Sequence, residues 1–133
     1  MQNSGFEIEV TSRFEGWWRY NVALMAGCFD ADEVRTDFAT ASSHIAEVGA
    51  NLAEPPAGTE AKRKIVLETA PCDHLLLYLY IIPHTLPAGN EIDTPRPFDI
   101  EVSISYGGKL LCKKQYAINQ WSGVSIETRI EKD

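Results

Sequence analysis

No stretch of this sequence approaches the ~20 consecutive apolar residues that a membrane-spanning helix needs. Its longest apolar run, Leu75 to Pro83, is the size of one strand, so no membrane span is expected. Cysteine is scarce as well: Cys28, Cys72 and Cys112 are odd in number, widely spaced and without a Cys-x-x-Cys pair, which argues against a disulfide framework or a zinc knuckle. Reduced, partly buried thiols are the expectation, in keeping with a reducing compartment. Basic clusters are also lacking. Against 19 Asp and Glu stand 12 Lys and Arg, a net charge of -7, and adjacent basic residues occur only at Lys62-Arg63-Lys64 and Lys113-Lys114. A phosphate backbone calls for a clustered cationic footprint, so nucleic acid is not an expected partner. The N-terminus, Met-Gln-Asn-Ser-Gly-Phe-Glu, has neither the basic segment nor the apolar run of a signal peptide. A cytoplasmic location is expected on that basis, or a secreted or periplasmic one if a signal peptide has been removed. Internal repeats and low-complexity tracts are missing too.

What is present fits a single globular domain over residues 1–133. Apolar residues make up 44% and charged residues 23% of the chain, far from the composition that keeps chains disordered. Phe6, Ile8, Val10, Ser12 and Phe14 alternate with Glu7, Glu9, Thr11 and Arg13, the period of a strand with one wet face. Glu15-Gly16 reads as a turn, after which Trp18, Tyr20, Val22 and Leu24 resume the alternation and complete an N-terminal hairpin. From Asp30 to Ala53 the pattern is ambiguous. Val34, Phe38, Ala41, Ile45, Val48 and Leu52 recur at spacings of a helix, with Asp30 and Glu33 as a capping box. Thr36, Thr40, Ser42, Ser43, Gly49 and Asn51 are weak helix formers, and Val34-Thr36-Phe38-Thr40 would also serve as a strand.

Pro55-Pro56 ends that segment. Strands follow at Ile65 to Thr69 and Leu75 to Ile82, the latter apolar on both faces and so expected in the middle of a sheet with both sides covered. Pro83 to Pro97 is a long proline-rich connection. Phe98, Ile100, Val102 and Ile104 alternate cleanly, Gly107-Gly108 signals a two-residue hairpin, and strands from Lys109 to Ile118 and Val124 to Ile130 close the chain. The fold class is mainly β: an antiparallel two-layer sandwich or jelly-roll-like barrel of about seven strands, with one inserted helix or extra strand after the first hairpin.

If successive strands alternate in direction and the Cys28 to Arg63 insertion is one connection, that insertion, the Pro83 to Pro97 loop and the Asn119 to Gly123 loop share an end. Asp30 and Asp32 would then meet Asn90, Glu91 and Asp93, oxygen donors of the kind calcium takes roughly six to eight at a time. No EF-hand spacing accompanies them, and acidic residues favour helix starts and loops anyway. Calcium is thus the one cofactor the acidic loops admit. Cys72, His74, His84 and His44 are too scattered for a zinc site. Ser42-Ser43-His44 is not a triad, since catalytic Ser and His meet through the fold, and no Gly-x-Ser-x-Gly elbow is present.

Trp17, Trp18, Tyr106 and Trp121 are the groups best able to anchor a ligand, because aromatic rings bury much area at little entropic cost. Adjacent strand residues point to opposite faces, so Trp18 is expected in the core and Trp17 outward. The expected function is a noncatalytic binding or assembly module acting through protein contacts or self-association. A calcium- or carbohydrate-binding sandwich, and an enzyme without a recognisable motif, are the alternatives.

Overall fold

The computed structural model describes residues 5–50, 52, 54, 56–57, 64–85 and 97–131. Eight strands run in chain order: β1 Phe6–Thr11, β2 Tyr20–Phe29, β3 Arg35–Ser43, β4 Lys64–Glu68, β5 His74–Pro83, β6 Phe98–Tyr106, β7 Lys109–Ile118 and β8 Val124–Glu131. They form two antiparallel four-stranded sheets, the first in the order β4-β1-β6-β7 and the second in the order β3-β2-β5-β8. The molecule is a β-sandwich.

The core lies between the sheets. Phe6, Ile8, Val10, Ile100, Val102 and Ile104, the inward phase of β1 and β6, are all buried against Val22, Leu24, Leu75, Leu77, Leu79 and Ile81 of the second sheet. Each such side chain contributes on the order of 1.5–3 kcal/mol by leaving water, so the period-two pattern fixes which face of each strand turns inward. Gly107 and Gly108, with φ of 58° and 86°, make the tight β6–β7 turn that the double glycine announces.

One alternative is resolved and two expectations are corrected. The inserted segment carries the extra strand rather than the helix: β3 pairs along β2 from Val22↔Ser43 to Phe29↔Arg35. Its Thr and Ser residues suit an edge strand, and the helix-like spacing of Phe38 and Val48 has no apolar face behind it, since both are exposed. The N-terminal hairpin does not form either. β1 pairs with β4 and β6, while β2 pairs with β3 and β5, so Phe14 to Arg19 crosses between sheets. Finally, that crossing is a short 3₁₀-helix, Glu15–Arg19, in which alternation no longer governs the side chains. Trp17 is therefore buried at 2% exposure and Trp18 half-buried, the reverse of the strand-based expectation. The Trp17 ring meets Phe98 edge-on at 6.0 Å, and Phe14 stacks on Phe98 at 4.3 Å.

Because the insertion is a strand, the parity of the loops changes. The β2–β3 turn lies with the starts of β5 and β1 at one end of the sandwich, since Phe29 pairs with His74. The crossing, the end of β5 and the Asn119 to Gly123 turn lie at the other, where Tyr20 pairs with Pro83 and the Tyr20 hydroxyl donates to the Gln120 carbonyl at 2.8 Å.

Candidate functional site

The two sheets differ on their solvent sides. On the first, the outward phase includes Glu7 and Glu9 of β1, Lys64, Val66 and Glu68 of β4, Asp99, Glu101 and Ser103 of β6, and Leu110, Lys113 and Gln115 of β7. Lys64–Glu9 and Lys113–Glu101 pair across strands at 3.6 Å. Polar and charged groups predominate on this face, and its exposed large apolar residues, Val66 and Leu110, stand apart on the two edge strands, β4 and β7.

On the second sheet the central strand β5 turns Leu76, Tyr78, Tyr80 and Ile82 outward, beside Met25 and Ala23 of β2 and Phe38 and Thr40 of β3. No described strand packs against that side. Ile82 is 44% and Phe38 47% exposed, while Leu76, Tyr78, Tyr80 and Met25 are half-buried. β5 is central, as its continuous apolar run implies, and its outer face, where the Asn21 side chain holds the Ile45 and Ala46 backbone at one end, has no described strand laid over it.

The apolar strip ends in a charged cluster. His74, the first residue of β5, is on the same outward phase and stacks on Phe29 at 5.4 Å with rings 8° apart. Its side chain is only 1% exposed, yet both ring nitrogens face carboxylates: Nδ1 lies 2.9 Å from Asp73 Oδ2 and Nε2 lies 3.0 Å from Glu33 Oε2. The Arg129 guanidinium on β8 donates to Glu33 Oε1 at 2.9 Å and, through Nε, to Glu131 Oε1 at 2.9 Å. Asp73 foremost, then Glu33, raises the imidazole pKa against the opposing effect of burial. The Arg129 hydrogen bond holds the Glu33 carboxyl below the usual range. Glu33 occupies the left-handed region at φ 64°, a conformation unusual for a residue with a side chain. Its turn is braced by Asp30 Oδ1, which accepts from the Asp32 and Val34 amides at 2.9 and 3.0 Å.

Asp73, His74 and Glu131 approach closely enough to share a cation. Arg129 already fills the space between Glu33 and Glu131 with a positive charge, and His74 spends both nitrogens on carboxylates. The cluster is a closed ion network rather than an open coordination site.

At the far end of β5, His84 is also buried at 1% exposure, but its hydrogen-bond partners are neutral. Nε2 donates to the Trp18 carbonyl at 2.7 Å, and Nδ1 lies 2.8 Å from Thr85 Oγ1. The Thr85 hydroxyl oxygen in turn accepts the Leu52 amide at 2.9 Å. Burial dominates and lowers the His84 pKa.

The aromatic candidates do not converge. Trp17 is core and Trp18 backs His84 through its carbonyl. Trp121 sits at the same end, its indole nitrogen buried without a hydrogen-bond partner among the described residues. Tyr106 is at the opposite end, edge-on to Phe6 at 4.7 Å. Of the calcium candidates, Asp30 caps the β2–β3 turn in which Asp32 lies, whereas Thr85 and Pro97, which flank the other acidic loop, belong to the opposite end, roughly 30 Å away along a ten-residue strand. Asn90, Glu91 and Asp93 themselves lie outside the described residues. A surface cleft of about 550 Å³ between β1 and β6, lined by Arg13, Phe14, Asp99 and Glu101 among others, contains no histidine or cysteine.

The residues of the apolar face and of the ion network were not picked out from the sequence. The two-sided apolar character of β5 pointed to the first; nothing local links Glu33, His74 and Arg129, which come together only through strand pairing.

No protein-family model matches the chain, and no curated protein matches it in sequence. Two solved structures are similar in shape. One is a domain of unknown function, DUF4425, from Bacteroides vulgatus, at 8% identity and a TM-score of 0.45, covering 100% of both chains. The other is a DUF4425 family protein from Bacteroides ovatus, at 10% identity and a TM-score of 0.39, covering 96% of this chain and 93% of that one. Neither description carries an activity.

Proposed function

We propose that the chain is a noncatalytic binding or assembly module that docks on a protein surface, a partner's or another copy's, through the outer face of the second sheet. The observation that carries this reading is the contrast between the two outer faces. A sheet that faces only water is expected to alternate apolar-in and polar-out, and the first sheet does so apart from Val66 and Leu110 on its two edge strands. The second instead presents two tyrosines, a leucine, an isoleucine and a methionine in one contiguous strip, with exposed Phe38 beside it. Contiguous exposed apolar surface of this kind marks interaction sites more often than chance placement, and tyrosine supplies large contact area at low entropic cost.

The reading relocates the anchors from the tryptophans to Tyr78, Tyr80 and Ile82. The ion network at one end of the strip would form part of a polar rim, where charges set orientation more than affinity.

Sedimentation velocity and a partner pull-down, each with wild type, Tyr80→Lys and Glu101→Lys, test the proposal. Tyr80→Lys should abolish association and Glu101→Lys should leave it intact. Equal behaviour of the two variants, or a wild type that is monomeric at high concentration and recovers no partner, would remove the ground for it.

A further inference from the structure

His74 is a buried ring with a carboxylate at each nitrogen, and the two carboxylates come from different parts of the fold. Asp73, just before β5, sets Oδ2 2.9 Å from Nδ1. Glu33, from the β2–β3 turn, sets Oε2 3.0 Å from Nε2. Among the described residues β8 adds Glu131, which pairs with His74 in the ladder, and Arg129, which bonds Glu33 and Glu131 rather than the ring. β2 contributes the uncharged Phe29 ring, stacked at 5.4 Å. The Cys72 thiol donates to the His74 backbone carbonyl at 3.5 Å.

An ionised carboxylate only accepts hydrogen bonds, whereas a neutral imidazole has one donor and one acceptor. The imidazolium satisfies both contacts. Without its second proton the ring must present a lone pair to one carboxylate oxygen, out of water, where an unmade bond is costly. The contact to Glu33 is the one free to break. Asp73 is adjacent in the chain, and its amide is fixed to the Phe29 carbonyl at 3.0 Å. Glu33 belongs to an exposed turn and holds its backbone in the left-handed region at φ 64°, a conformation that costs free energy in a residue with a side chain. Its other partner is Arg129, and both side chains of that pair are about half exposed, at 46% and 59%. Exposed ion pairs hold weakly.

We propose that Glu33 and His74 form a proton-dependent latch on the β2–β3 turn: the imidazolium fastens the turn over the start of β5, and loss of its proton releases the tip, Ala31 to Val34, into solvent. The latch is closed at acid pH and opens as pH rises. Asp73 foremost, then Glu33, raises the imidazole pKa against burial and the Arg129 charge, so opening falls above the ordinary histidine value. The coupling is reciprocal, since closing the turn and taking up the proton favour one another by the same factor. It concerns the turn and not the apolar strip, and so stands apart from the docking reading.

Nuclear magnetic resonance on the full native chain, from about pH 5.5 to 9 so as to span histidine titration, reads both halves of the latch. Ring resonances report His74, and backbone order parameters report the turn. In the wild type the order parameters of Asp32, Glu33 and Val34 should fall from about 0.85 to below about 0.6, with the midpoint of the His74 ring. Glu33→Gln keeps the reach of the side chain but brings its own N–H donor, which suits the neutral ring. That turn should stay ordered throughout, and the imidazole midpoint should drop by about one pH unit or more, a tenfold loss of proton affinity. Glu33→Gly removes the carboxylate and adopts the left-handed backbone readily, so its turn should be mobile at every pH while the strand resonances stay in place. A wild-type tip equally ordered on both sides of the His74 midpoint would overturn the proposal. So would a Glu33→Gln turn that loses order at the same pH as the wild type.

Discussion

The two outer faces of this sandwich are built from the same architecture and solve different problems. Both belong to four-stranded antiparallel sheets, and both cover the same core. The first carries Glu7, Glu9 and Glu101, the last two with lysine partners, and its exposed apolar residues, Val66 and Leu110, are set apart on the two edge strands. The second keeps Leu76, Tyr78, Tyr80 and Ile82 in a row down its central strand. The inward set Leu75, Leu77, Leu79 and Ile81 fills the core on the other side of the same strand. The difference teaches that β5 carries two apolar surfaces, one buried in the core and one on the outer side of its sheet, and the proposed docking rests on the second.

Substitutions can separate these surfaces. The largest effect is expected at the layer between the sheets: Trp17→Ala should cost ~3–5 kcal/mol of folding stability, as a truncated core aromatic does. Chemical denaturation measures it, and loss of association without loss of stability would place Trp17 on a surface after all. Next comes the apolar face. Tyr80→Lys should weaken association by ~2 kcal/mol or more, the scale of an interface hot spot, while leaving the urea midpoint nearly unchanged; sedimentation and urea melts distinguish the two.

The third test concerns how β5 is held at its ends, where two buried histidines have opposite surroundings. His74 faces carboxylates and its pKa is raised. Its contribution to stability is thus fully present below the unfolded value of about 6.5 and is lost as pH rises through the folded pKa. His84 faces neutral groups and its pKa is lowered, so stability is lost as pH falls from about 6.5 toward that lower value. His74→Gln should flatten the stability profile on its alkaline side and His84→Gln on its acid side. A nuclear magnetic resonance titration should show the two imidazoles titrating on either side of the ordinary value, and coincident titration would contradict the geometry. The smallest effect is expected on the charged face: Lys64→Gln, which breaks a largely exposed pair with Glu9, should shift stability by no more than ~0.5 kcal/mol.

The legibility of this protein in its sequence tracks how local each cause is. β1, β6 and β7 were readable because period-two burial writes itself directly into Phe6–Ile8–Val10 and Phe98–Ile100–Val102, and because Gly107-Gly108 has one common use. The β1–β2 junction was not, since a turn within a sheet and a crossing between sheets both start with a Glu-Gly step. Trp17 and Trp18 went the wrong way for the same reason, as a single 3₁₀ turn resets the phase. For β3, the helix-like spacing of Val34, Phe38 and Ala41 carried no information because an edge strand has little apolar demand. The ion network could not be foreseen: Glu33, His74 and Arg129 lie on three elements, and only the register His74↔Glu131 and Phe29↔His74 makes them neighbours. Of the calcium candidates, Asp30 has a visible task in its own turn, which the loop-parity argument did not consider.

The placement of β1 has a consequence for how the chain comes into being. It precedes the seven other described strands in the chain, yet it lies inside the first sheet, between β4 and β6. Ile8 must wait for Leu67 and then for Ile104 before either of its edges is satisfied. Only β2–β3 and β6–β7 join strands adjacent in sequence among the pairings of the two sheets. Such a topology has high contact order, so folding belongs to the slower all-β range. An early strand with both edges open is also a template for intermolecular pairing. Charged side chains on a strand discourage such pairing, and β1 carries two of them, Glu7 and Glu9, on the phase that the finished sheet turns outward.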